Sequence, residues 1–404
     1  MKTCGERLLE FGFLAVCLLV VGGCATRPFE ARELETAAFI DRILTQEQGD
    51  VSISAAVPTA EEVIALTGLD LHEQGIQPIW LRVDNNEPRP VRIALSSIDD
   101  EYFSPMEVAW YYRKGYSRDG IAAMERWLFE NGMPRVIPPG ESGSGLVFTH
   151  LTEGTKGFNV DAYTTNESFN FTFFVPMPGF RPDYMDVRFA DLYQPEELRV
   201  VDLDGLRELL SDYDCCSTDA SGSATGDPLN VAIVATPIAL RRALLRSQWQ
   251  ETQSGSDDAA LAREHHFDGR IPDGTFRRSR PDGSERKELR IWLSPIRFGE
   301  VPVWLAQVSY DISATNRNRS FRDYQIDPDI DDARLFVLQS FWYGQSLARF
   351  GLAGGIPTAT IDAPIENFAG GRWFTDGKRV VLFLAEEPIA MDETEVLVWE
   401  RFLD

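Results

Sequence analysis

Two cysteines stand side by side at Cys215-Cys216. Neighbouring Cα atoms lie about 3.8 Å apart across a trans peptide, closer than the roughly 4.4–6.8 Å usual for a bridged pair. The pair could close a vicinal disulfide and act as a redox pair, because a constrained bridge is the easier one to reduce. It could also stay as two small thiols, or as a ring that stiffens its loop; no histidine or basic residue adjoins it to lower a thiol pKa. A second place for chemistry is the stretch 261–300, where nine Lys and Arg stand against seven Asp and Glu, +2 within a chain of net charge −24. Arg270, Arg290 and Arg297 could fork onto a carboxylate or a phosphate. They could instead pair with acidic neighbours inside the fold, with Pro272-Asp273-Gly274 and Pro281-Asp282-Gly283 as solvated turns. Asp327, Asp329 and Asp331 imitate the opening of a calcium loop, but Asp332 and Leu338 occupy the positions that require Gly and Glu. Acidic residues there suit the N-terminus of a helix over 333–338. His265 and His266 are adjacent, so regular structure points them apart and away from a common metal. No Gly-x-Ser-x-Gly, no His-Glu-x-x-His and no phosphate-cradling loop ending in Lys-Ser or Lys-Thr is present. Neither a cofactor nor a metal is expected.

A different chemistry is written at the N-terminus. Lys2 and Arg7 precede an apolar run over 11–21, which ends in Val21-Gly22-Gly23-Cys24. The run is short of the about 20 residues that span a bilayer. Small residues followed by a cysteine resemble a bacterial lipobox. The implied processing removes residues 1–23 as a signal peptide and acylates Cys24 with palmitate-type chains, so the protein is tethered to the membrane rather than spanning it. Ala25 stands where an aspartate would signal inner-membrane retention, which points to the outer membrane and its periplasmic face. An ordinary signal peptide or a single membrane helix is the alternative. Cys4 and Cys17 leave with the leader, so Cys215 and Cys216 are the cysteines that remain beside the lipidated one. No disulfide framework can be drawn, and stability must come from packed cores.

The elements that position these residues are legible in outline. A chain of 404 residues with 44% apolar residues has material for two domains. Its strong negative charge opposes nucleic acid as a partner. Contact with the membrane is expected through the lipid anchor. Residues 24–50 read as a polar tether with one helix near 30–45. From 51 to 185 the apolar residues alternate, as in Phe169, Phe171, Phe173 and Val175, which predicts an immunoglobulin-like β-sandwich. One helix interrupts it, on Ile121, Met124 and Leu128. Residues 186–404 read as a mixed α/β domain: a helix around Leu203–Leu210, a buried strand over 230–235, and a helix capped by Thr236 with Pro237 at its first position. Strands follow at 289–293 and 301–308. Asp376-Gly377 between two apolar runs predicts a hairpin. The fold class is α+β in two domains.

Several segments of the second half together resemble the LssY-like C-terminal domain family of bacterial proteins. They are Asp214-Cys215-Cys216-Ser217-Thr218-Asp219, Gly226-Asp227-Pro228-Leu229-Asn230, Phe267-Asp268-Gly269-Arg270 with Asp273, Leu289-Arg290-Ile291-Trp292, Ser309-Tyr310-Asp311, Asp327-Pro328-Asp329-Ile330-Asp331 and Phe374-Thr375-Asp376-Gly377. The first half, with Gly75-Ile76-Gln77-Pro78 and Tyr102-Phe103-Ser104-Pro105, resembles the β-domain that accompanies this module in exported members. Glu288 departs from the family pattern, where a histidine would precede the Leu-Arg-Ile-Trp strand. The resemblance brings no established activity. The expectation is a membrane-anchored periplasmic lipoprotein with a non-catalytic accessory or binding role in the envelope, towards an envelope protein or a small anionic ligand. The alternative is a hydrolase of an anionic envelope substrate, its pocket near Asp227, Arg270, Asp273, Arg290 and Asp311. Convergence of those five side chains on one cleft favours the alternative; dispersal favours the accessory role.

Overall fold

Strands with one apolar face need a partner layer, and the chain supplies one for each of its two units. The computed structural model describes residues 27–34, 37–152, 154–175, 177, 180–252, 265–279, 286–311 and 326–399. Cys24 and the expected signal segment 1–23 lie outside the described residues. Contacts divide the chain into Met1–Thr152 with Phe158–Val175, and Glu153–Gly157 with Pro176–Asp404. The class is α+β, as expected.

In the first unit the strands are β1 (Leu44–Gln48), β2 (Val51–Ala56), β3 (Ile76–Asn85), β4 (Val91–Ala94), β5 (Val136–Ile137), β6 (Ser142–His150), β7 (Lys156–Tyr163) and β8 (Ser168–Val175). They form two four-stranded sheets, ordered β1-β2-β3-β6 and β5-β4-β7-β8. The helices are α1 (Ala60–Thr67), α2 (Leu95–Ile98), α3 (Pro105–Tyr112) and α4 (Arg118–Glu130). Val63 and Leu66 of α1, Val108 and Ala109 of α3, and Met124 and Leu128 of α4 pack with Ala56, Ile76, Trp80, Leu146 and Phe148 of the first sheet. The alternate residues Ile53, Ala55, Ile79, Leu81 and Val83 are buried too, as period two demands of a sheet covered on both faces.

Three features differ from the sequence expectation. Three consecutive strands lie side by side in the first sheet, whereas an immunoglobulin sandwich places its second and third strands in different sheets. Among the described residues four helices occur between 51 and 175 where one was expected, and near 30–45, where a helix was expected, only a 3-10 turn forms. The stretch expected as a tether is built in: Leu34 and Phe39 are core residues, a short 3-10 turn covers Ala38–Arg42, and β1 pairs with β2. Burial of Leu34 and Phe39 outweighs the polar residues around them, because each large apolar side chain gains roughly 1.5–3 kcal/mol on leaving water.

The second unit holds β9 (Arg199–Val201), β10 (Cys216–Thr218), β11 (Thr225–Pro228), β12 (Val231–Val234), β13 (Gln250–Glu251), β14 (Gly274–Ser279), β15 (Arg286–Phe298), β16 (Val301–Asp311), β17 (Leu347–Ala353), β18 (Ile365–Glu366), β19 (Arg372–Trp373), β20 (Arg379–Leu384) and β21 (Glu395–Val396). Its helices are α5 (Leu203–Asp212), α6 (Pro237–Arg246) and α7 (Ile330–Tyr343). Nine strands make one sheet, ordered β13-β14-β15-β16-β12-β20-β17-β21, with β9 paired to β15. Val231, Ile233, Leu289, Ile291, Trp304 and Ala306 face α6 and α7. The alternate residues Ala232, Val234, Trp292 and Leu305 face α5 and Phe267. Thr236 caps α6 as predicted, its hydroxyl accepting from the Ala239 N–H at 3.2 Å. The hairpin expected at Asp376-Gly377 does not form. β19 pairs with β18, while β20 joins β12 and β17. Arg334 of α7 takes the Asp376 carboxylate at 2.8 and 3.0 Å, and Gly377, at φ +85°, turns the chain from one sheet into the other. No helix among the described residues is long and apolar enough to cross a membrane.

Candidate functional site

Strand β15 alternates Glu288, Arg290 and Trp292 on one face with Leu289 and Ile291 on the other. Two charged residues therefore enter a layer that is otherwise core. Both are buried, and Arg290 Nη2 lies 3.0 Å from Glu288 Oε2. Gln307 stands opposite Arg290 on β16; its Oε1 accepts from Arg290 Nη1 at 2.6 Å. The same amide donates to Asp227 Oδ2 at 3.4 Å. The other oxygen of Asp227 accepts from Asn367 Nδ2 at 2.7 Å. Asn367 is held by the turn between β18 and β19, where its Oδ1 accepts from the Ala369 and Gly371 N–H groups.

A second arm of this layer joins β10 to His265. The buried Ser217 hydroxyl donates to the Asp227 carbonyl at 3.1 Å and lies 3.0 Å from His265 Nδ1. His265 Nε2 is 3.9 Å from Asp227 Oδ2, beyond hydrogen-bond reach. Gly226 makes the approach of β10 to β11 possible: a Cβ there would lie 2.5 Å from Ser217 Oγ and 2.9 Å from Phe368. Burial pushes the Asp227 carboxyl pKa up, against the opposing pull of Asn367 and Arg290. Burial also drives the His265 imidazole well below its ordinary value, helped by the charge of Arg290. Both groups are thus held towards their neutral forms, as expected where water is excluded.

Serine, histidine and aspartate in contact invite comparison with a nucleophilic triad, and the geometry argues against it. The single hydroxyl proton of Ser217 has two acceptors in reach, the Asp227 carbonyl at 3.1 Å and His265 Nδ1 at 3.0 Å. No carboxylate orients the imidazole as a triad requires, since Asp227 Oδ2 stays 3.9 Å from His265 Nε2. Ser217 also has no exposed surface. An anionic ligand fares little better, since Glu288 already holds the Arg290 charge. Two buried groups in the layer, Arg290 Nε and Ser309 Oγ, have no hydrogen-bond partner.

The five residues expected to line one pocket are divided. Asp227 and Arg290 meet through Gln307. Arg270 and Asp273 form a separate clamp. Asp273 Oδ2 accepts the Leu293 N–H at 2.6 Å, and Arg270 donates to the Leu293 carbonyl at 2.8 Å and to the Tyr193 hydroxyl at 3.0 Å. Arg270 Nη1 pairs with Asp273 Oδ1. The β14–β15 ladder begins only at Gly274, opposite Ile291, so these side chains replace the missing strand for Leu293. Asp311 ends β16, and its side chain lies outside the described residues. Arg297 donates to the Glu300 carbonyl at 3.1 Å.

The remaining sequence candidates also find structural partners. Cys215 and Cys216 are bridged and pack with Ile330, Ile356 and Trp373. Asp329 caps α7 by accepting from the Asp331 N–H at 3.2 Å, and Asp331 accepts from Thr375 Oγ1 at 2.6 Å. Among the described residues no group of three or more His, Cys, Asp or Glu could hold a metal ion. Sequence reasoning missed Ser217, Gln307 and Asn367. The alternation Glu288-x-Arg290 within an apolar strand was the available signal, because it places both charges on one face.

Residues 258–378 match the family model described as LssY C-terminus. This span carries His265, the Arg270–Asp273 clamp, Glu288, Arg290, Gln307 and Asn367; Ser217 and Asp227 precede it. A search of the curated proteins finds no match to the chain.

Proposed function

We propose that this chain is a lipid-anchored, non-catalytic accessory protein of the cell envelope, acylated at Cys24 and displayed on the periplasmic face of the outer membrane. The observation that supports this reading is how the chemical residues of the second unit are engaged. Asp227, Arg290 and His265 bind one another's neighbours within a buried layer, and Arg270 with Asp273 completes a strand edge. Such networks rigidify a core and specify its packing. They present no nucleophile, base and substrate face together.

The competing hydrolase reading is tested with the soluble Cys24→Ala protein, incubated with isolated envelope material. Released phosphate, sugars and fatty acids are followed by mass spectrometry. No release above the blank is expected. Release that disappears in Asp227→Asn would overturn the non-catalytic reading.

A further inference from the structure

We infer that the turn between α3 and α4, with the exposed face of α3, is a membrane-contact surface that lies on the phospholipid headgroups beside the acyl chains. The inference rests on acylation of Cys24 and adds to it an orientation and a second contact. Residues 110–118 read Trp110-Tyr111-Tyr112-Arg113-Lys114-Gly115-Tyr116-Ser117-Arg118, with three cations and no acid, in a chain of net charge −24. Trp110 is 63% exposed, Tyr111 49% and Met106 44%. Met106 and Trp110 are four residues apart on one helix and share a face. The Arg113 guanidinium lies over the Trp110 ring, 3.1 Å from its centroid. Trp and Tyr with nearby Arg and Lys are the side chains that favour a membrane–water interface, the rings at headgroup depth and the cations on phosphate.

The chain itself brings the bilayer here. Arg27 is docked on this same turn: its N–H donates to the Gly115 carbonyl at 3.0 Å, and its carbonyl accepts from the Ser117 N–H at 3.1 Å. Its guanidinium lies over Tyr116, 4.5 Å from the ring centroid. Gly120 lets the segment lie close, since a Cβ there would be 3.1 Å from the Arg27 carbonyl oxygen and 3.2 Å from the Phe29 nitrogen. The segment stays pinned further on, where Trp127 donates to the Arg32 carbonyl at 3.3 Å. Only Ala25 and Thr26 lie between Cys24 and Arg27, and the three Cα–Cα steps reach at most about 11 Å. An acylated Cys24 therefore holds this turn within one headgroup layer of the lipid. The general acidity of the chain keeps its other faces off an anionic leaflet; the turn itself has the opposite sign, with Glu107 and Asp119 flanking it and Asp70 and Glu73 near Tyr112.

The test uses the native acylated protein in vesicles of phosphatidylethanolamine and phosphatidylglycerol that contain a lipid spin-labelled near the headgroup. A fluorophore is attached through Lys114→Cys, or through Tyr163→Cys as a control on β7. Cys215 and Cys216 are bridged, so the introduced thiol is the one that reacts. Flotation with the vesicles reads the anchor, and quenching reads the surface. The expected result is flotation of both, with quenching several-fold stronger at 114 than at 163, and loss of that excess when Trp110→Ser and Arg113→Glu are added. Flotation with equal quenching at the two positions, or with none, would overturn the surface and leave the anchor standing. Failure to float would overturn the anchor, and the inference with it.

Discussion

Asp273 accepts a backbone N–H and pairs with Arg270 where water is largely excluded. Burial raises its pKa to about 6, although Arg270 and the Leu293 N–H pull the other way. A carboxyl raised in the folded state binds its proton there before the unfolded chain does. Its stabilising share is therefore complete below its ordinary value of 3.8 and is lost as pH rises through about 6. Relative to Asp273→Asn, the natural protein should be favoured more at pH 4 than at pH 7, by on the order of 2–3 kcal/mol. Urea unfolding of both proteins at the two pH values measures this; a difference that does not change with pH would contradict it. At this scale the sequence was partly legible. Glu288 and Arg290 show their common face by period two. Gln307 and Asn367 do not, because an amide suits many places and their partner Asp227 lies 80 and 140 residues away. Arg270 and Asp273, three residues apart, are close enough to suggest a pair, but only the register of β14 against β15 shows what they complete.

Helix signals were plainer than the sequence expectation made them. Thr59 and Glu62 form a reciprocal capping box, the Thr59 hydroxyl accepting from Glu62 N–H at 3.2 Å and Glu62 Oε2 accepting from Thr59 N–H at 2.8 Å. Ser104 and Glu107 do the same for α3. These spacings could have announced α1 and α3, yet the alternating strands around them dominate the pattern. Thr59→Ala should destabilise the first unit by about 1 kcal/mol, read as a lower thermal midpoint, with Thr59→Ser close to the natural protein. An equal loss in both variants would show that the cap hydrogen bond is not what the position contributes. Asp376-Gly377 teaches the reverse lesson. The dipeptide suits a hairpin locally, but Arg334 claims the aspartate and the glycine turns the chain between sheets. Tertiary partners decided this case, and a local pattern does not name them.

For the whole molecule, the α+β class and the likeness of residues 258–378 to the LssY C-terminus were readable from alternation and segment order. The arrangement of strands was not, since pairing depends on contacts far apart in the chain. The packing of Phe29, Leu34, Phe39, Ile40 and Ile43 into the first unit's core also escaped a reading by polarity. Removing the acyl site tests the proposed address: the natural protein should sediment with the membrane fraction and incorporate radiolabelled palmitate, and Cys24→Ala should do neither. Retention of the variant in the outer membrane would contradict the anchor.

Among the described residues the nine-stranded sheet ends on β13 and β21, each two residues long and each carrying a glutamate. A long bare edge would offer its free N–H and C=O groups to a second copy, and short charged edges withhold that template. If the proposed anchor crowds copies onto one leaflet, they should therefore remain separate rather than zip into shared sheets.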